Sequence, residues 1–137
     1  MKISFHKENV SFSLKTSTVN NWVENAVNSL GYSLKSLSFI FCDDEYLKKI
    51  NVRYLEHDYY TDVITFDYSE KREIKGDVFI SIDRVKENAK KYKVSFNEEL
   101  FRVIIHGVLH LCGFNDKTAK EKKEILKQEN HFLGLIS

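Results

Sequence analysis

The 137-residue chain has no proline, one tryptophan, one methionine and two cysteines, and its formal net charge is only +1. Each shortage sets a limit. No stretch approaches the roughly 18 apolar residues that a membrane-spanning helix needs, so no span is expected. The opening Met1-Lys-Ile-Ser-Phe-His6 lacks the apolar run of a secretory signal. A soluble cytoplasmic protein is therefore the expectation. With so small a net charge, no global field draws the chain to nucleic acid, and any RNA contact must rest on a local patch. Cys42 and Cys112 lie far apart and read as reduced thiols rather than a disulfide. No internal repeat, low-complexity run or linker divides the chain, so residues 1–137 read as one domain, long enough to bury a core without staples. The missing proline says little about function.

What is present centres on His106-Gly-Val-Leu-His110-Leu-Cys-Gly113-Phe-Asn-Asp116. Histidines four apart lie one helical turn apart and project from one face, where two imidazoles can share a metal ion. Gly113 stands where a helix ending in a left-handed residue favours glycine. A turn there would swing Asp116 back as a third, oxygen ligand and leave an open position for water. His106, His110 and Asp116 are thus the candidate metal ligands. Asn115 is a weaker substitute for the third. No side chain is assigned a catalytic role, and the chemistry is given to a water held on the metal. Two nitrogens and a carboxylate suit Zn2+, one per chain, although nickel, iron or manganese can use the same donors. A lone histidine on an apolar helix face is usually a hydrogen-bonded core residue. The glycine and carboxylate at the right offsets favour the metal. In zincins a glutamate follows the first histidine as general base; here that position is Gly107.

Helix-period and strand-period patterns outline the rest. Ile3–Phe5 and Val10–Leu14 read as short strands and Val19–Leu30 as a helix capped by Ser17 or Thr18 and ended by Gly31. Leu37–Cys42 reads as a buried strand, and Asp43 and Asp44 open a helix carrying Tyr46, Leu47, Ile50 and Tyr54. His57–Asp62 is a loop into a strand at Val63–Phe66; Ser69–Lys75 is a surface turn, and Asp77–Ile82 a strand. Asp83 is expected to cap a helix to Tyr92, Ser95 to form a capping box with Glu98 on the central helix, and Thr118 to cap the last helix through Leu133. From Leu100 to Cys112 the central helix is apolar almost all round and should be buried, so His106 and His110 need hydrogen bonds or a metal. Without a strict strand–helix–strand beat, the fold class is α+β or α/β with one small sheet.

These residues resemble the signature of the YbeY family, bacterial single-strand-specific endoribonucleases of ribosomal RNA maturation. His106, Gly107, Leu109, His110, Leu111 and Gly113 match it, while Phe114, Asn115 and Asp116 replace the family's Tyr, Asp and third His. Asn51 with Tyr54, Thr61–Phe66 and Gly76-Asp77-Val78 extend the similarity, in the family's order, from about Ile50 to Asp116. The resemblance implies a mixed sheet of about four strands packed with about five helices in a zincin-like arrangement. It also implies a metal-dependent endoribonuclease, a hydrolase of RNA phosphodiester bonds. The implied role is maturation of the 16S rRNA 3′ end and ribosome quality control. The implied partners are single-stranded RNA, rRNA and the small ribosomal subunit, with neither DNA nor membrane. Leu55 stands where the family commonly has an arginine, and on a helix Arg53 would point about 160° away from that place. Two other readings compete: a zincin-like metallopeptidase, opposed by Gly107, and a non-catalytic ribosome-assembly factor with a structural metal, opposed by the shortage of cysteine ligands.

Three further features have both a plain and a functional reading. Tyr59-Tyr60-Thr61-Asp62 is a turn feeding a strand or a wall of the cleft. Between Lys71 and Lys93, eight cations against four acids leave a local net of +4. That segment reads first as a solvated helix face and second as a phosphate-tracking patch. Of His6, His57 and His131, only His57 is expected near the cleft.

Overall fold

The computed structural model describes residues 2–136. Nine elements follow in order: β1 (Ile3–Glu8), α1 (Thr16–Ser29), β2 (Ser33–Cys42), α2 (Asp44–Leu55), β3 (Val63–Asp67), β4 (Glu73–Ser81), α3 (Ile82–Tyr92), α4 (Phe96–Leu111) and α5 (Ala119–Leu133). The four strands form one mixed sheet in the order β1-β2-β4-β3. β1, β2 and β4 run parallel, and β3 pairs antiparallel with β4. The α+β class, four strands and five helices agree with expectation.

Side-chain alternation splits the sheet into two faces. On one face Leu37, Phe39, Phe41, Val78 and Ile80 pack with Val23, Val27, Ile104, Ile105, Val108 and Leu109 of α1 and α4, all nearly or fully inaccessible. On the other, Cys42, Leu47 and Ile64 make a smaller cluster beneath α2. Both cysteines are free and buried, and burial pushes each thiol up to about 12.

Several boundaries differ from the expected ones. Val10–Leu14 is not a strand: Val10, Phe12 and Leu14 alternate inward onto the core, but the segment has no pairing strand. α1 starts at Thr16 without a side-chain cap, so Ser17 and Thr18 lie inside its first turn. Ser81 caps α3 by accepting from the Arg84 N–H. The Asp83 carboxylate instead accepts the Asp44 N–H at 2.9 Å and ties α3 to the start of α2. Ser95 caps α4 through the Glu98 N–H. The reciprocal capping box forms at Thr118 and Glu121 on α5 instead. β4 begins inside the expected Ser69–Lys75 turn, at Glu73.

α4 crosses the sheet with Gly107 against β3 and β4. A Cβ built there would meet Val78 Cγ1 at 2.8 Å and Thr65 Cγ2 at 3.5 Å. The glycine is needed for this close approach, and the position that holds the base in a zincin faces the sheet. Gly107→Ala gains about 0.5–1 kcal/mol of helix propensity but overpacks the sheet contact at a cost of about 1–3 kcal/mol. We expect a net destabilisation of about 1–2 kcal/mol by urea denaturation.

Candidate metal centre

His106 and His110 leave the same face of α4, as a helical period of four requires. α4 ends at Leu111, and Gly113 then takes φ +92°, a left-handed turn that favours glycine. The chain folds back and sets Asp116 beside both rings. Its Oδ2 lies 3.3 Å from His106 Nε2 and 3.3 Å from His110 Nε2, and the two Nε2 atoms are 2.9 Å apart. These three residues form the group able to hold a metal ion among the described residues. Asn115 is exposed and stands outside this group.

The opposite ring nitrogens are committed elsewhere. His110 Nδ1 lies 2.9 Å from the Phe114 carbonyl, which can only accept, so that nitrogen carries the proton. His106 Nδ1 lies 2.6 Å from Glu129 Oε2. Glu129 is 6% exposed and also accepts from Arg102 at 2.8 Å. With both protons on Nδ1, two nitrogen lone pairs and a carboxylate oxygen converge. Acceptors this close repel unless a proton or a cation lies between them. A tetrahedral ion with bonds of about 2.0–2.1 Å separates its donors by roughly 3.3 Å, so the donor set fits such an ion. The histidine–carboxylate pair is the usual outer support of a histidine ligand.

Burial alone would lower the His106 pKa, but the hydrogen bond and charge of Glu129, then Asp116 and Asp62, hold it above its ordinary value. A raised histidine stabilises the metal-free fold below the unfolded value and loses that contribution as pH climbs through the folded value. A metal must displace the same proton. We expect Zn2+ affinity to rise roughly tenfold per pH unit and to level off above pH ~6.5, the ordinary histidine value. A Zn2+ titration between pH 5.5 and 8.5 checks this, and a plateau already reached at pH 6 would contradict it.

A cleft of about 460 Å3 opens over the three donors. Asn51, Leu55, His57, Tyr59, Asp62 and Lys117 contribute to its walls. Asn51 is buried and donates to the Tyr59 carbonyl at 3.0 Å, and the Asp62 carbonyl accepts from Ser81 N–H at 2.9 Å, so both ends of the loop are pinned. Tyr59 and His57 thus do line the cleft. His6 bonds Ser4, and His131 packs on Phe132. Leu55 lines the cleft, and Arg53 lies over the Tyr54 ring, outside the cleft lining. Asp62 is half-buried, and burial raises its pKa. The Lys71–Lys93 cations are spread over three stretches: Lys71 and Arg72 precede β4, Lys75 lies on it, and the rest follow on α3 and at its end.

Sequence reasoning missed Glu129, Arg102 and Lys117. A signal existed for the first two. Glu129 stands on the buried stripe of α5 with Ile125 and Phe132, and Arg102 continues the His106–His110 face toward the start of α4. Lys117 carries no such signal.

A mixed four-stranded α+β fold, crossed by a helix whose His-x3-His pair meets a returning carboxylate, defines a small α+β protein with a candidate helix-borne metal site. Within that class the chain belongs to the endoribonuclease YbeY family, which it matches over residues 2–137. It is 48% identical to the endoribonuclease YbeY of Flavobacterium psychrophilum over 98% of this chain and 96% of that one. To the Parabacteroides distasonis endoribonuclease YbeY it is 43% identical, covering 99% and 96%. The fold is also that of a Thermotoga maritima protein solved in solution, with a TM-score of 0.67 at 24% identity over 98% of this chain and 88% of the other.

Proposed function

We propose that this chain is a metal-dependent endoribonuclease that hydrolyses single-stranded RNA, and that its substrate is the 16S rRNA precursor on the small ribosomal subunit in the cytoplasm. His106, His110 and Asp116 hold one divalent ion, zinc by the chemistry of two imidazoles and one carboxylate. The observation that carries the reading is the convergence of their three acceptor atoms while both Nδ1 atoms are engaged elsewhere. Family membership supplies the reaction class. No helix among the described residues is long and apolar enough to cross a membrane, which accords with a cytoplasmic site of action.

When bound, such an ion lowers the pKa of water toward ~7 and polarises a phosphoryl oxygen. The chain's own groups do the remainder. Glu129 and the Phe114 carbonyl fix the two rings in the tautomer that presents Nε2. Asp62, on the cleft wall and raised by burial, is placed to take a proton from water. Lys117 supplies a cation at the rim, where Leu55 offers none. A peptidase would need a base at position 107, which is packed on the sheet.

Metal analysis of the purified protein beside a cleavage assay on single-stranded RNA, with and without chelator, tests the proposal. A metal-replete protein that leaves single-stranded RNA intact would refute it. Lys117→Glu should weaken RNA binding and reduce the slope of log K against log[salt] by at least ~0.7, the value for one phosphate contact on a single strand. Reversing Lys90 and Lys91 on α3, where Lys90 lies 4.0 Å from Glu87 and is exposed, should leave that slope unchanged. Equal effects from the two variants would return the phosphate-binding role to α3.

A further inference from the structure

The wall that carries His106 has a second side. A cavity of about 410 Å3 lies there, and Asp62, Val63 and His106 border both it and the metal cleft. Glu99 faces into this cavity from the first turn of α4. It is 5% exposed, yet among the described residues nothing donates to its carboxylate. Arg102, one turn along, directs its guanidinium to Glu129 and Asn130, each at 2.8 Å. No fully sealed polar atom lacks a partner, so the free Glu99 oxygens open onto the cavity they line. A buried carboxylate without a donor is costly, and it accepts but cannot donate when ionised. The space therefore suits a ligand that brings paired N–H groups.

We propose that this cavity receives a guanine base of the RNA strand, beside the phosphate cut at the metal cleft, with Glu99 accepting from its N1–H and its 2-amino group. The inference rests on the nuclease reading and adds base specificity to it. Shape and chemistry select the occupant. Val94, Val103 and Leu126 give the cavity apolar walls for a planar ring, and Tyr92, exposed at 57%, offers an aromatic face. Two adjacent donors on the pairing edge match the two oxygens of a carboxylate. Adenine and cytosine each set an amino group beside an acceptor nitrogen, and uracil sets one N–H between two carbonyls, so each turns an acceptor toward Glu99. The ligand group close enough to hold a metal is on the other side of the wall, at His106, His110 and Asp116.

The test is a titration of the full-length protein, without added metal, with guanosine, adenosine, cytidine and uridine 5′-monophosphates, followed by amide NMR shifts. Guanosine monophosphate should perturb Glu99, Tyr92 and Val103 and bind at least about tenfold more tightly than the other three, as one hydrogen bond to a charged group allows. Glu99→Gln should erase that preference. Because a core-facing change can disturb folding, Tyr92→Ala on the exposed rim serves as the second variant, and it should weaken guanosine monophosphate several-fold. With metal present, replacing guanine by inosine, which lacks the 2-amino group, should slow cleavage at the preferred position. Equal binding of all four nucleotides would overturn the inference, as would shifts confined to His110 and Asp116. The two readings fail separately. Guanine-selective binding by a chain that cuts no RNA removes the nuclease reading and keeps this one. Cleavage indifferent to base does the reverse.

Discussion

His110→Ala should leave the purified protein with almost no bound metal and no metal-dependent cleavage of single-stranded RNA. In the proposed site the side chain supplies one of three donors, and it stands 2.9 Å from the first and 3.3 Å from the third. Two donors do not make the closed half of a tetrahedral site. The loss should exceed the roughly 10–100-fold that follows removal of a group merely supporting a ligand. Misfolding is a poor alternative explanation. The His110 side chain is 24% exposed, alanine is the strongest helix former, and the ring's one backbone partner is the Phe114 carbonyl just past the helix end. Metal content by elemental analysis and the unfolding transition should therefore separate, with the first collapsing and the second nearly unchanged. A full equivalent of metal on the His110→Ala protein would remove this residue from the site.

Glu129→Ala should weaken metal binding by roughly 10–100-fold and also destabilise the fold, and the two effects have distinct causes. Without the carboxylate, His106 Nδ1 has no acceptor at 2.6 Å, so neither the ring's tautomer nor its orientation is held. Arg102 also loses the partner it meets at 2.8 Å. Because the Arg102 side chain is about a third exposed, at 32%, water replaces part of that bond, and a loss of about 1–3 kcal/mol is expected. Glu129→Gln separates the causes: its amide oxygen can still accept from Nδ1 but carries no charge for Arg102. Metal affinity in Gln should lie between wild type and Ala, and the plateau of the Zn2+ pH profile should move to lower pH as the raised His106 value relaxes. If Ala and wild type bind Zn2+ equally, Glu129 is a stability residue alone.

The pattern along single elements was legible without coordinates. The period of four joins His106 to His110, Gly113 supplies the left-handed turn, Ser95 and Thr118 cap their helices, and alternation marks β2, β3 and β4. These features rest on contacts a few residues apart, where chain geometry alone fixes which side chains meet. Val10–Leu14 shows the limit of that logic: its alternation is real, but a strand also needs a neighbour to pair with, and the sheet provides none.

Only the tertiary structure decided what surrounds the donors. Glu129 reaches His106 across 23 positions and Arg102 across 27, because α5 packs along α4. Asp62 and Leu55 enter the cleft because β3 lies at the sheet edge beside α4, with the α2–β3 loop pinned by Asn51. The cations between Lys71 and Lys93 form one run in sequence but fall before, on and after β4. Amphipathic periodicity says which face of each helix is buried, but not which other helix will cover it. The sequence by itself could therefore name His106, His110 and Asp116 as candidate donors, while the carboxylate beside His106 and the cavity behind it came from packing between elements distant along the chain.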